Sequence, residues 1–101
     1  MSRARRIDDN QKAIVAAYRA LGASVQSLAS VGRGTPDLLV GFRGKDFLIE
    51  VKNSAQPPSA RRLTDDEAKW HRSWRGSVVR IVESVDDVQA ALGLAPWRGD
   101  V

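Results

Sequence analysis

Three charged residues stand inside two short apolar segments of the sequence. Asp37 opens "PDLLVGF" after a proline, and Glu50 and Lys52 close "DFLIEVK". Two carboxylates can bind a hard divalent cation, and magnesium commonly takes only one or two carboxylates from a protein. A lysine beside such an ion could orient a metal-bound water or help to deprotonate it. The chemistry that these residue types suggest is metal-assisted hydrolysis of a phosphodiester.

The two segments predict a β-hairpin around the turn Arg43-Gly44-Lys45. A two-residue turn at Gly44-Lys45 pairs Asp37 with Lys52, whereas a four-residue turn pairs Asp37 with Glu50. Both registers place all three charged side chains on one face, because side chains alternate between the faces of a strand. The opposite face is apolar and is predicted to be the core; its residues are Leu38, Val40, Phe42, Phe47, Ile49 and Val51.

Charges beside an apolar sheet lose hydration, at a cost of roughly several kcal/mol each unless something offsets it. A divalent cation would do so, with Asp37, Glu50 and the backbone carbonyl of Val51 as protein ligands. The alternative is a structural ion pair between Asp37 and Lys52. That pair would leave Glu50 as an unpaired carboxylate on the same strand, so we favour the metal site.

The segments around the hairpin predict the order helix, three strands, helix, strand, helix. In the first helix, apolar residues follow the i, i+3, i+4, i+7 pattern from Ile14 to Leu21, and Gly22 is its predicted end. Thr64 and Glu67 form a capping-box pattern that begins the second helix. The last helix is predicted from Ser84 to Gly93. The result is one mixed α/β domain over residues 1–101, with a sheet flanked by helices on both sides.

Composition limits the function further. The chain has 101 residues and no cysteine, which excludes disulfides and thiolate metal sites, and a single histidine makes a structural zinc site implausible. Any metal should therefore be bound mainly by oxygen. A formal net charge of +4, with many arginines, suggests a nucleic-acid partner. The N-terminus lacks a signal peptide's apolar centre and no stretch approaches the ~20 apolar residues of a membrane span, so we expect a cytosolic protein.

The residues Pro36-Asp37 and Glu50-Val51-Lys52 resemble the motif of the PD-(D/E)xK nuclease superfamily. More narrowly, "GTPDLLVG", "FLIEVKN", "RRLTDDEAKWHRSWRG" and "VVRIVESVDDV" resemble the small stand-alone VRR-NUC nucleases of phages and bacteria, which are related to archaeal-type Holliday junction resolvases. The resemblance implies a restriction-endonuclease-like αβββαβ core and a metal-dependent DNA endonuclease with magnesium or manganese. It also implies a homodimer, in a bacterial or phage-infected cell. Asp37, Glu50 and Lys52 would be the catalytic residues.

The sequence departs from this family at two places. Related resolvases carry an acidic residue on the first helix, where this chain has the amides Asn10 and Gln11. Asp8 or Asp9 could substitute, although capping of the helix is the preferred interpretation for both. The missing acid leaves a second function class open, a nuclease fold retained as a DNA-binding module. Glu67 stands where the family often has glutamine, and whether it reaches the site is left open.

Further residues are candidates for DNA contact, and others have a structural alternative. Lys69 and His71 could face DNA, although a solvated helix face is more usual. Trp70 and Trp74 are expected to pack in the core or a dimer interface rather than to stack on bases. The apolar C-terminal segment, including Pro96 and Trp97, could join such an interface or fold back on the domain. The substrate-binding candidates are Asn10, Gln11, Arg33, Thr35, Arg61, Arg62 and Lys69.

Overall fold

A mixed four-stranded sheet in the order β1-β2-β3-β4 forms the centre of the fold. The computed structural model describes residues 3–94, with side chains from Asp9 onward. β2 runs antiparallel to both β1 and β3, and β4 lies parallel to β3. The elements are α1 (Arg3–Ala20), β1 (Ser24–Ser27), β2 (Leu38–Phe42), β3 (Lys45–Val51), α2 (Pro58–Arg61), α3 (Asp65–Ser73), β4 (Arg80–Val82), a 3₁₀ turn (Val85–Asp87) and α4 (Val88–Ala91). This arrangement confirms the predicted α/β fold of the restriction-endonuclease type.

The β2–β3 hairpin turns at Arg43 and Gly44, not at Gly44-Lys45 as predicted. Both turn residues have positive φ, 52° and 78°, as in the two-residue type I′ turn that matches the right-handed twist of paired strands. Phe42 consequently pairs with Lys45. This strand register is the one predicted for a four-residue turn, but here the two-residue turn at Arg43 and Gly44 produces it. Continued by one residue, it sets Asp37 opposite Glu50.

The core lies on the predicted face of the sheet, between the strands and α1. Leu38, Val40 and Ile49 are completely buried there, and Phe47 nearly so. Phe42 and Val51 pack at the margin of this cluster. Ile14 and Tyr18 of α1 cover the strands, and further buried residues come from β4 and the C-terminal turns, namely Val82, Val88, Ala91 and Leu92. Each fully buried aliphatic side chain contributes about 1.5–3 kcal/mol, so this face holds the sheet and α1 together.

Several element boundaries differ from those predicted. Because α1 begins at Arg3, Asp9 lies within the helix, and the proposed cap at Asp8 or Asp9 is wrong. The polar loop after β3 contains the single helical turn α2, which two prolines begin by fixing φ. β4 has only three residues, Arg80–Val82. Pro96 and Trp97 lie outside the described residues, whereas Leu92 belongs to the core.

Within residues 3–94, no helix is both long enough and apolar enough to span a bilayer.

Candidate active site

Asp37 is positioned by an interruption in the β2–β3 ladder. Pro36, which is buried, has no N–H and lies where the ladder would continue. The Val51 N–H instead donates to Oδ2 of Asp37 at 2.7 Å. The Asp37 backbone carbonyl accepts a hydrogen bond from the Leu28 N–H at 2.8 Å. These two bonds hold the Asp37 carboxylate against the end of β3.

Glu50 is the charged residue that the fold buries most deeply. Its side chain is 2 % exposed, and it is the only polar or charged residue classed as buried among the side chains described. Burial, followed by the neighbouring carboxylates of Asp37 and Glu67, raises the pKa of Glu50 to about 9. In the metal-free protein at neutral pH, Glu50 therefore carries a proton. A bound cation would remove the need for that proton.

The carbonyl of Val51 faces the same opening as Asp37. Directly after β3, the backbone N–H of Lys52 donates toward β4, to the Val82 carbonyl at 2.9 Å. The N–H and C=O of one strand residue point to the same neighbouring strand, and those of the next residue point to the other. Because the Val51 N–H is directed at Asp37, its carbonyl also points to that side. This direction is compatible with the predicted role of Val51 as a backbone ligand.

Lys52 is held by Glu67, at the start of α3. The Lys52 Nζ lies 2.9 Å from Oε1 of Glu67 and 3.9 Å from Oε2 of Glu50. The same Glu67 oxygen accepts from the Thr64 N–H at 2.9 Å, and the Thr64 hydroxyl accepts from the Glu67 N–H. The predicted capping box is thus confirmed, and Glu67 reaches the site as well. Burial raises the pKa of Glu67, but its hydrogen bonds with Lys52 and Thr64 outweigh that effect and leave it below the usual value.

His71 also belongs to the site, contrary to its expected place on a solvated helix face. Its Nε2 lies 3.3 Å from Oε1 of Glu50, and its side chain is only 14 % exposed. Burial lowers the pKa of His71, so the imidazole is neutral at physiological pH and can donate a hydrogen bond to Glu50. The sequence did hold a signal for this placement. Glu67 and His71 are spaced i, i+4, so the residue that caps α3 and His71 share one helix face.

Gly34 lets the loop before Asp37 approach α3. Its φ is +84°, and a Cβ built there would lie 2.3 Å from the Asp66 carbonyl oxygen and 2.9 Å from the Glu67 nitrogen. Only glycine fits a backbone contact this close. The loop that carries Asp37 and the helix that carries Glu67 and His71 are therefore packed against each other through Gly34.

The amides of α1 stand at the margin of the site. Asn10 donates through Nδ2 to the carbonyl oxygens of Lys52 at 2.9 Å and Glu83 at 3.3 Å. It thereby ties α1 to the chain just beyond β3 and β4. Gln11 is partly exposed. The donor group of Asn10 is thus engaged in a structural contact, which leaves only its side-chain carbonyl oxygen for the predicted substrate contact.

The remaining predicted substrate contacts lie on the loop before Asp37, at the end of α2 and on α3. Arg33, in the left-handed region with φ 55°, and Arg62 and Lys69 are exposed. Thr35 is used locally, because its hydroxyl donates to the Gly32 carbonyl at 2.7 Å. Arg61 is 3.3 Å from Oε1 of Glu83, so the loop after β3 is tied to the end of β4. Three of these five residues therefore present exposed cationic side chains.

The donor set fits a hard divalent cation that keeps several waters. Asp37 and Glu50 supply carboxylate oxygens from adjacent strands, and Val51 offers a carbonyl on the same side. In the part of the chain that the structure describes, no three His, Cys, Asp or Glu side chains form a complete metal cage. Magnesium suits such a partial set, since it dehydrates reluctantly and accepts one or two carboxylates.

The chain is similar to a solved structure described as a VRR_NUC domain. The two are 29 % identical, with a TM-score of 0.65, and the match covers 89 % of this chain and 97 % of the other. No protein-family model matches the sequence, and no curated protein does. The similarity thus spans nearly the whole of both chains. Fold, motif and similarity together support the identification of the chain as a VRR-NUC domain.

Proposed function

We propose that this VRR-NUC domain, whose family implies a nuclease-type function, is a metal-dependent endonuclease that hydrolyses phosphodiester bonds in DNA. The observation that carries the proposal is the convergence of Asp37, the buried Glu50 and Lys52 at one end of the β2–β3 hairpin. Burying a carboxylate beside a second one is costly unless a cation is present to pair with both. Structural need alone does not account for that arrangement.

Asp37, Glu50 and the Val51 carbonyl would hold the ion, magnesium or manganese. When bound, such an ion lowers the pKa of a water molecule and neutralises charge that develops on the phosphoryl group. His71 would keep the Glu50 side chain oriented through its 3.3 Å contact. Asp37 is kept in place by the Val51 N–H.

Lys52 would supply the catalytic cation of the protein itself. Its ammonium lies within 3.9 Å of a Glu50 oxygen, so a phosphate bound beside Glu50 is within its reach. From there it can donate to a phosphoryl oxygen or orient the attacking water, and both actions stabilise charge that grows in the transition state. Glu67 restricts the ammonium to this position.

The DNA backbone would lie across the exposed cations around the opening. Arg33 precedes Asp37 on its loop, Arg62 follows α2, and Lys69 lies on α3, all exposed. Contacts of this kind bind phosphates and position the duplex without reading its sequence. Because such contacts do not read the base sequence, we expect the protein to recognise the shape of its DNA. We propose branched DNA such as a four-way junction as the substrate. A homodimer would place two sites on two strands, and the cytosol of a bacterial or phage-infected cell would supply the DNA.

A cleavage panel tests the proposal. Single-stranded, duplex, flap and four-way DNA are incubated with Mg²⁺, Mn²⁺ or EDTA, and products are resolved on denaturing gels. We expect cleavage only with metal and most rapidly on four-way DNA. Asp37→Asn and Lys52→Ala should each reduce the rate by about 100-fold or more at unchanged fold. Asp46→Asn, an exposed carboxylate on β3, is the matched control. Full activity of either site variant would contradict the mechanism.

One observation favours the second candidate, a DNA-binding module without catalysis. Asn10 lies beside the site and supplies no carboxylate, and its amide donor bonds to main-chain carbonyls. Salt-sensitive DNA binding without cleavage under any metal would support the module.

Sedimentation measures the oligomeric state of the protein. A strict monomer at assay concentration would contradict paired cuts by a homodimer.

A further inference from the structure

Two tryptophans form an exposed stack at the end of α3, on the helix that supplies Glu67 and His71 to the site. The rings of Trp70 and Trp74 have centroids 4.6 Å apart and an interplanar angle of 13°. Trp74 is 50 % exposed, so it lies outside the core. For Trp74 the core alternative expected from the sequence is therefore wrong, whereas packing in a dimer interface stays a prediction. We call Trp70 and Trp74 the tryptophan stack.

The stack holds the indole of Trp74 in a fixed orientation. Trp70 covers one face of the ring. The backbone N–H of Trp74 donates to the backbone carbonyl of Trp70 at 3.1 Å, which closes the last turn of α3. A Cβ built on Gly76 would lie 2.7 Å from Trp74 Nε1, so the chain passes close to the edge of the indole. With one face and one edge occupied, the exposed part of the ring is a flat aromatic surface. A planar partner can stack there without paying to order the side chain.

The charges around the stack favour a polyanion as the partner. From Ala68 to Val82 the sequence contains four Lys or Arg residues, one His and no Asp or Glu. Arg72 and Arg75 flank Trp74 and are exposed. A two-fold interface across this surface would bring the same arginines of two copies together, and like charges at an interface oppose association. Aromatic rings interleaved with cations are the pattern with which proteins bind single-stranded nucleic acid.

We propose that the tryptophan stack binds an unpaired nucleobase of the DNA substrate, with Arg72 and Arg75 on the neighbouring phosphates. The proposal rests on the proposed nuclease function. His71 contacts Glu50, and Trp74 follows it by three residues, about 5 Å along the helix. A base on Trp74 therefore lies within a few nucleotides of a phosphate at the site. The stack would select DNA with a single-stranded segment or a distorted junction over an intact duplex.

The test is a binding measurement with the full chain in EDTA, where metal-dependent cleavage does not occur. Fluorescence anisotropy compares three labelled DNAs: a blunt duplex, the duplex with a short single-stranded overhang, and the overhang with abasic sites, which keeps the phosphates. We expect the wild type to bind the overhang about 5- to 100-fold more tightly than its abasic form. Trp74→Ala should lose this preference, whereas Trp74→Phe should keep most of it. Val78→Ala, which removes a nearby exposed apolar side chain, should change nothing.

Equal affinity of the wild type for the normal and abasic overhangs would overturn the proposal, and so would a full preference in a folded Trp74→Ala variant. A Trp74→Ala variant that changes only its sedimentation would also overturn it, because the stack would then be a protein interface. Asp37→Asn serves as a second readout. If Asp37→Asn loses cleavage but keeps the preference for the normal over the abasic overhang, the nuclease mechanism and the base-stacking proposal are both supported and are shown to be separate. If Asp37→Asn retains cleavage, only the nuclease mechanism is contradicted.

Discussion

Glu50 is the most deeply buried charged residue of the site, and a carboxyl group buried in this way needs either a proton or a nearby cation. Its pKa of about 9 in the folded chain lies above the usual 4.5. Between these values the unfolded state releases the proton first, so the unfolded state binds fewer protons and the stability of the metal-free protein falls as pH rises from about 4.5 to 9. The site is therefore a local instability in the absence of metal.

Replacing Glu50 by glutamine should stabilise the metal-free chain. In EDTA at pH 8, Glu50→Gln should raise the free energy of unfolding by on the order of 2 kcal/mol, or roughly 10 °C in Tm, because a neutral amide does not have to take up a proton on folding, as the Glu50 carboxylate does above its ordinary pKa. Thermal melts between pH 7.5 and 9, above the titration range of His71, measure this effect. Asp46→Asn controls for loss of one negative charge. Equal pH slopes for the wild type and Glu50→Gln would rule out the raised pKa.

At the residue scale, the sequence revealed the three motif residues and not their partners. That Asp37, Glu50 and Lys52 share one face of the sheet follows from the alternation of side chains along a strand, and it holds for both hairpin registers that the sequence allowed. His71 and Glu67 come from a helix whose position depends on long-range packing. Periodicity along α3 could pair the two residues with each other but not with β3. The structure supplies that relation through contacts at 3.3 Å and 2.9 Å.

At the scale of elements, α3 is attached to the sheet mainly through polar contacts. None of its residues is buried, and its links to the rest of the site are the Glu67–Lys52 pair, the His71–Glu50 contact and the close approach of Gly34. The start of this helix could be predicted from the sequence, because Thr64 and Glu67 form the capping box that the sequence indicated. They could not show how α3 docks, because Gly34 lies more than 30 residues before it in a connection without periodic pattern.

Glu67 has two functions that substitutions can separate. Glu67→Gln keeps an oxygen that can accept from both the Thr64 N–H and Lys52, so its cleavage rate should stay within a few-fold of the wild type. Glu67→Ala should lose about tenfold in rate and, like any lost cap, about 1 kcal/mol in stability. Thr64→Ala should lose the stability alone. These are read from steady-state cleavage and thermal melts, and an unchanged rate in Glu67→Ala would show that Lys52 needs no anchor.

Gly34→Ala should displace α3. The added methyl group would overlap the Asp66 carbonyl, and φ +84° is unfavourable for alanine. We expect destabilisation by about 1–3 kcal/mol and cleavage reduced by at least tenfold, because Glu67 and His71 would move away from Lys52 and Glu50. Gly32→Ala is the matched control, since it shares positive φ (+72°) but meets no atom within 4 Å. A similar loss of activity in both variants would show that backbone strain, not docking of α3, is responsible.

At the scale of the whole molecule, metal binding and folding should be coupled. An ion that binds only the folded chain stabilises it by RT ln(1 + [L]/Kd), about 2.7 kcal/mol at one hundred times Kd. Magnesium or manganese should therefore raise the Tm of the wild type and leave Asp37→Asn nearly unchanged. Melts with 10-fold steps in metal concentration measure this. A shift of equal size in both proteins would show that the ion binds elsewhere.

The proposed mechanism requires Asp37 and Glu50 to share one divalent cation. Anomalous diffraction from crystals of the wild-type protein grown with Mn²⁺ shows whether they do. We predict one anomalous peak bound by the Asp37 and Glu50 carboxylates and the Val51 carbonyl, with water in the other positions. A peak that lacks either carboxylate, or manganese bound only at other surfaces of the protein, would contradict the claim.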